Sequence, residues 1–203
     1  MADGYWAGLL WLAATVLWWT GWRDELGGDL SPRAVSGFLL LWPAGWLASR
    51  ALPSDAKPVM LALLLLAVTI GICRPLAAER RLTVWSVAML GSAILFLLSH
   101  PAVWLYGWIR FEPARDLPVL LGVFVALTLR TMREQLAAQS LALLVAACGS
   151  LWLIPPPATW PATAAWADMW WLAAAAGRVV SLALHRVTQA MRHKWQGKAG
   201  NRA

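Results

Sequence analysis

Residues 161–203 read PATAAWADMWWLAAAAGRVVSLALHRVTQAMRHKWQGKAGNRA. An apolar stretch carrying Trp166, Met169, Trp170, Trp171, Leu172, Val179, Val180, Leu182 and Leu184 gives way to Arg186, Arg192, Lys194, Lys198 and Arg202, with no Asp or Glu after Asp168. An apolar span closed by a purely basic tail is the pattern of a membrane helix whose carboxy end stays on the cytoplasmic side. From that anchor the other apolar runs can be counted back towards the amino terminus.

The composition agrees with a bilayer setting. Apolar residues make up 60% and charged residues 13%, with a mean hydropathy of +0.60. Soluble domains average roughly 45–50% and about 25%. The few charges stand in short clusters between long apolar runs, so that runs can face lipid and clusters water. Sixteen tryptophans fit the same setting, since indoles favour the headgroup level. The net charge of +7 does not indicate a nucleic-acid partner, because the basic residues are spread over the loops and the tail. They serve topology, with some attraction to anionic headgroups. The expected surroundings are the lipid bilayer of the bacterial cytoplasmic membrane, with a membrane-protein partner or a second copy of the chain as further candidates. Asp3 without a nearby Lys or Arg argues against a cleavable signal peptide.

The expected fold class is all-α, a polytopic transmembrane bundle of about seven spans, amino end out and carboxy end in. Residues 1–185 form the transmembrane domain, with spans at about 5–22, 32–49, 58–73, 82–99, 117–132, 136–154 and 162–184; residues 186–203 form a basic cytoplasmic tail. Ser31 is the expected N-cap of the second span and Pro32 its first helical residue. Pro43 should kink that span, leaving a carbonyl for a neighbour to satisfy. The fifth span carries Arg130 at its end. Residues 100–116 hold Trp104, Leu105, Trp108 and Ile109 on one face and are expected along the interface. With this layout twelve of the seventeen Lys and Arg fall in inner segments and four in outer ones, Arg178 standing within a span. That bias has the sign the positive-inside rule requires.

Charge within a span is costly and marks candidate function. The seventh span offers Asp168 and Arg178, about 15 Å apart along a helix and on different faces, so they cannot pair with each other. In one reading Asp168 sits near the outer surface beside Trp166 and Trp170, and Arg178 reaches the inner headgroups by its stem. In the other, Arg178 faces the bundle and holds an anionic group or a partner carboxylate. Both residues are the candidate binding residues. Small residues at four-residue spacing (Ala67 and Gly71; Ala88 and Ser92; Ala173, Gly177 and Ser181) suit close helix contacts, the last row being the best candidate, inside the monomer or between copies. Trp11, Thr15, Trp18 and Trp22 form a stripe on the first span that reads as aromatic anchoring. His100, His185 and His193 form no metal constellation, and Cys73 and Cys148 lie too far apart in depth for a disulfide.

Several functions lack their residues. Lys57, Lys194 and Lys198 lie outside the spans, so no Schiff-base lysine serves a retinal. No GxSG, GxGD or HExxH motif supports intramembrane proteolysis, and no Gly-rich loop cradles phosphate. Neither enzymatic activity, nor a cofactor, nor a bound metal is expected.

The short, tightly spaced spans, the sequence Thr20-Gly21-Trp22-Arg23-Asp24 closing the first and the basic carboxy tail together resemble the YphA-like family of small uncharacterised membrane proteins of Gram-positive bacteria. The likeness is one of layout over the whole chain, without a diagnostic motif; the richness in Trp and Ala departs from it. It implies a cytoplasmic-membrane protein and brings no activity or site residue with it. The expectation for function is a non-enzymatic scaffold or accessory subunit of a membrane complex. The alternative is a small-molecule or lipid carrier in which Arg178 contacts an anionic substrate.

Overall fold

The computed structural model describes residues 4–51, 56–99, 113–153 and 163–200, and these are helical with no strand among them. The helices are α1 (Tyr5–Trp19), α2 (Arg23–Gly27), α3 (Pro32–Ala51), α4 (Ala56–Cys73), α5 (Ala78–Ser99), α6 (Pro113–Thr128), α7 (Met132–Leu153) and α8 (Thr163–Gly200). Each of the seven long helices overlaps one of the seven apolar runs of the sequence, with bounds that differ most at α6, α7 and α8. Residues 100–112, which carry most of the expected interfacial piece, lie outside the described residues.

The centre is α7, buried at every position from Glu134 to Leu143 and surrounded by α4, α5, α6 and α8. This helix is also the most polar part of the core, with Glu134, Gln135, Gln139 and Ser140 all buried. The periphery is the reverse. Leu40, Leu41, Leu82, Leu127 and Val179 are each at least 63% exposed. The core is apolar apart from these few polar side chains, and the rim exposes many large apolar residues as well.

Only part of the expected architecture is shown. By length and composition one helix among the described residues, Ala78–Ser99, could cross a membrane; Tyr5–Trp19 and Leu63–Cys73 are apolar but shorter. The seven-span layout is therefore not established, and its shortfall has physical causes. Helix α1 has 15 residues and α6 has 16, α7 opens with Arg133 and Glu134, and α8 contains Asp168 and Arg178.

Local chemistry sets the helix ends. The Ser31 hydroxyl accepts the Ala34 N–H at 3.2 Å and α3 begins at Pro32, as the sequence indicates. The turn after α6 falls earlier than expected, at residues 129–131 instead of 133–135. Thr131 and Glu134 form a capping box: the Glu134 N–H donates to Thr131 Oγ1 at 3.3 Å and the Thr131 N–H to Glu134 Oε2 at 3.4 Å. Glu134 Oε1 also accepts from Arg80 Nη1 at 2.8 Å, tying the start of α5 to that of α7. Charge placed these residues in a loop; capping places Glu134 inside α7. The expected division between domain and tail at 185–186 is likewise no break in structure, since α8 continues to Gly200.

Pro43 has no N–H, so within α3 the Leu39 carbonyl has no helical donor. Trp11 Nε1 donates to that oxygen at 2.8 Å. Two turns further along α1, Trp18 Nε1 donates to Ser36 Oγ at 2.9 Å, and its ring is buried against Gly27. The indoles of this stripe therefore join α1 to α3; of the four residues, the anchoring reading suits the exposed Trp22.

The closest approach is between α6 and α8. A Cβ on Gly122 would overlap the Ala173 carbonyl oxygen and lie 2.9 Å from the Gly177 nitrogen. Ser181, next in the row, meets α7: its Oγ accepts from Gln135 Nε2 at 2.9 Å, and Nε2 also donates to Leu129 O at 2.8 Å. The Ala173–Gly177–Ser181 row is thus used within the chain. Ala88 and Ser92 are buried on α5, whereas Ala67 and Gly71 are exposed on α4. That first row makes no helix contact at Gly71, where a Cβ would meet nothing.

Candidate functional site

Asp168 and Arg178, the two charged residues of α8 ahead of its basic carboxy end, both turn towards the α1–α2 unit. Asp168 Oδ2 accepts the Gly4 N–H at 2.9 Å and Oδ1 accepts the Ala7 N–H at 2.6 Å. Gly4 is the N-cap of α1, with φ 89°, a left-handed conformation that glycine adopts without strain. Its lack of a side chain leaves the first N–H groups of α1 open, and the Asp168 carboxylate fills that role from across the bundle.

Arg178 acts at the opposite pole. Its Nε donates to Glu25 O, and its Nη2 donates to Asp24 O at 3.3 Å. These carbonyls belong to α2, a helix of five residues, so the guanidinium stands at the negative end of its dipole. Gly28, with φ 54°, ends α2 and lies beside the Arg178 guanidinium; a Cβ there would be 3.7 Å from Nη1. Neither sequence reading of Arg178 anticipated a bond to backbone carbonyls. The side chain points inwards, yet its partners are peptide oxygens and not a carboxylate. Asp168 is near Trp166 and Trp170 in sequence, but its hydrogen bonds go to α1.

Between α1, α3, α4 and α8 lies a cavity of about 770 Å3. Its existence follows from side-chain size. Helix α3 reaches α1 and α8 through bulky rings: Trp11 and Trp18 on one side, and a cluster of Phe38, Trp42, Trp170 and Trp171 with centroids 5.3–6.0 Å apart on the other. Next to these spacers stand small residues, Ala13, Ala14, Ala34, Ala174 and Ala175, which leave the volume empty. Leu17 and Val179 also line the space and are exposed, so it opens to the side of the bundle.

The lining is apolar over most of its length and charged at one end, where Glu25, Arg133 and Arg178 gather. Arg133 is engaged by Asp29: its Nη2 donates to Asp29 O at 3.0 Å, and its Nε lies 3.7 Å from Asp29 Oδ2. Among the described lining residues there is no His, Cys or Lys, and Ser31, the one hydroxyl, is spent on capping α3. The arrangement can hold an apolar chain with a polar end. Elsewhere among the described residues no three His, Cys, Asp or Glu side chains gather to hold a metal ion, and Cys73 and Cys148 are free thiols.

Sequence reasoning singled out Arg178, which lines the cavity, and Asp168, which does not. It missed Glu25, Arg133 and the alanine-lined wall. The available signal was the run Ala173–Ala176 together with Ala13–Ala14, small residues in otherwise bulky helices.

No family model, no curated protein and no solved structure matches this chain.

Proposed function

We propose that this chain is a multi-pass membrane protein of seven spans, amino end out and carboxy end in, that binds an amphiphile in its lateral cavity and carries no chemistry of its own. Lipid as the solvent is supported by the many large apolar side chains exposed on the periphery. The YphA-like layout goes with this reading, as a protein of the bacterial cytoplasmic membrane. Seven crossings are supported by the one long apolar helix, by six further long helices built from apolar runs, and by the charge bias of the loops. The polar ends, with Glu25, Arg80, Arg133 and Arg178, then face the cytoplasm.

The observation that carries the binding role is the cavity itself: about 770 Å3, apolar, side-opening and charged at one end. A scaffold that works only through its outer surface has no need of such a space. A groove meant for an amphiphile needs all four properties. The test is native mass spectrometry of the full chain extracted gently from membranes. Ala174→Trp, which fills the cavity, should remove co-purifying lipid, while Leu90→Trp on the exposed face of α5 should not. Equal lipid retention by both variants refutes the reading.

A second reading, accessory subunit of a membrane complex, is favoured by one observation. Helix α8 has 38 residues, about 57 Å of helix, and Leu184, Val187 and Met191 form an exposed stripe beyond the bundle. Removing residues 186–203 should then dissociate a partner and leave lipid retention intact; capture of the lone chain by its full-length form counts against it.

A further inference from the structure

The charged rim of the cavity selects the polar end of its occupant. Of the three charged side chains there, Arg133 is already neutralised by Asp29. Arg178 is held by two peptide carbonyls, with the Asp29 and Glu25 carboxylates within electrostatic reach but not hydrogen-bonded to it, and its Nη1 has no hydrogen-bond partner among the described residues. Glu25 gives Arg178 its backbone oxygen as a direct bond and its carboxylate only at longer range; that carboxylate makes no hydrogen bond or ion pair among the described residues. The rim therefore offers one cation and one anion that feel each other across the opening but are not in direct contact with an opposite charge among the described residues. An anionic headgroup gains Arg178 and is repelled by Glu25, and a cationic one meets the opposite penalty. A zwitterion satisfies both.

Resting on the amphiphile reading, we propose that the occupant is a zwitterionic glycerophospholipid with a primary ammonium group, its phosphate on Arg178 and its ammonium on Glu25. Each contact is a charge-assisted hydrogen bond, the guanidinium donating to phosphate oxygen and the ammonium donating to carboxylate oxygen. A quaternary ammonium has no N–H to donate to the Glu25 carboxylate, so it forgoes that hydrogen bond. The chain of the lipid runs along the alanine wall towards Trp170 and Trp171. From Arg178 to Trp170 is about 12 Å along α8, close to the ~15 Å depth of one leaflet's hydrocarbon. The lipid thus belongs to the leaflet on the charged side.

The experiment titrates delipidated full-length protein in detergent with phosphatidylethanolamine, phosphatidylglycerol and phosphatidylcholine of identical chains, read by native mass spectrometry. Phosphatidylethanolamine should bind about tenfold tighter than either of the others, the effect of one charge-assisted hydrogen bond. Glu25→Gln keeps the backbone oxygen that Arg178 uses and should collapse that preference by weakening phosphatidylethanolamine and strengthening phosphatidylglycerol. Equal or tighter binding of phosphatidylglycerol or phosphatidylcholine overturns the assignment, as does an unchanged ratio in Glu25→Gln. If Ala174→Trp abolishes binding that shows no headgroup preference, the headgroup assignment alone fails. Binding that ignores Ala174→Trp takes the cavity reading down with it.

Discussion

Replacing Gly122 by alanine adds a single methyl group where α6 and α8 touch backbone to backbone. The new Cβ would overlap the Ala173 carbonyl oxygen and stand 2.9 Å from the Gly177 nitrogen and 3.0 Å from the Ala173 carbonyl carbon. All three are main-chain atoms within helices, so no side-chain rotation relieves the overlap and the helices must part. Overpacking costs about 1–3 kcal/mol, and the upper end applies where nothing can give. Alanine regains roughly 0.5–1 kcal/mol as a better helix former than glycine. The net expectation is a loss of about 2 kcal/mol. Gly8→Ala is the internal control: it has the same propensity gain, and a Cβ there meets nothing within 4 Å. Gly177→Ala, whose Cβ would be 3.2 Å from Gly122 O, should fall between the two. The difference between Gly122→Ala and Gly8→Ala is about 3 kcal/mol, roughly a hundredfold in the unfolding equilibrium. Unfolding in mixed micelles of mild detergent and dodecyl sulfate, followed at two protein concentrations, measures it. Equal stability of the two variants would refute the α6–α8 contact. A concentration-dependent midpoint would move that contact to an interface between copies.

Three further outcomes follow from the same geometry. Trp11→Phe strands the Leu39 carbonyl that Pro43 leaves free and should cost about 1–3 kcal/mol. Pro43→Ala restores the helical donor, so a double-mutant cycle of the two should show coupling of about 1 kcal/mol, and additivity would disprove the compensation. Asp168→Asn keeps the shape of the side chain but loses the charge and one of two acceptors at the start of α1, for a cost of roughly 1.5–3 kcal/mol; faster amide exchange at Gly4 and Ala7, confined to that turn, reports it. Arg178→Lys retains the charge but cannot span the Asp24 and Glu25 carbonyls as a planar fork does. Exchange in α2 should rise by about tenfold, and unaltered protection there would show that the guanidinium does not hold α2 in place.

Much of the local structure was legible along the chain. Ser31-Pro32 marks the start of α3, and Pro43 announces a freed carbonyl, because both effects act within one helical turn. The donor that meets this carbonyl was not legible, since Trp11 is 28 residues away. The turn at 129–131 was misplaced although its signal, Thr131 three residues before Glu134, was present: a charged residue after an apolar run was read as loop instead of as cap. The small-residue row on α8 was visible, but its partner Gly122 carries no pattern of its own. Helix α2, between Gly21 and Gly28, both at positive φ, lay in what read as a loop.

The sequence by itself determined that the chain is helical, where the long helices lie and which stretches carry few charges. These properties accumulate from neighbours along the chain, through the period of apolar residues and through caps and breakers acting over three or four positions. Only the tertiary structure decided what Asp168 and Arg178 do, because their partners lie 153 to 164 residues away and a charge takes whichever backbone end the packing brings beside it. The cavity belongs to the same class. It comes from indoles holding α3 away from alanines on other helices, a mismatch of sizes that exists only once those helices are neighbours.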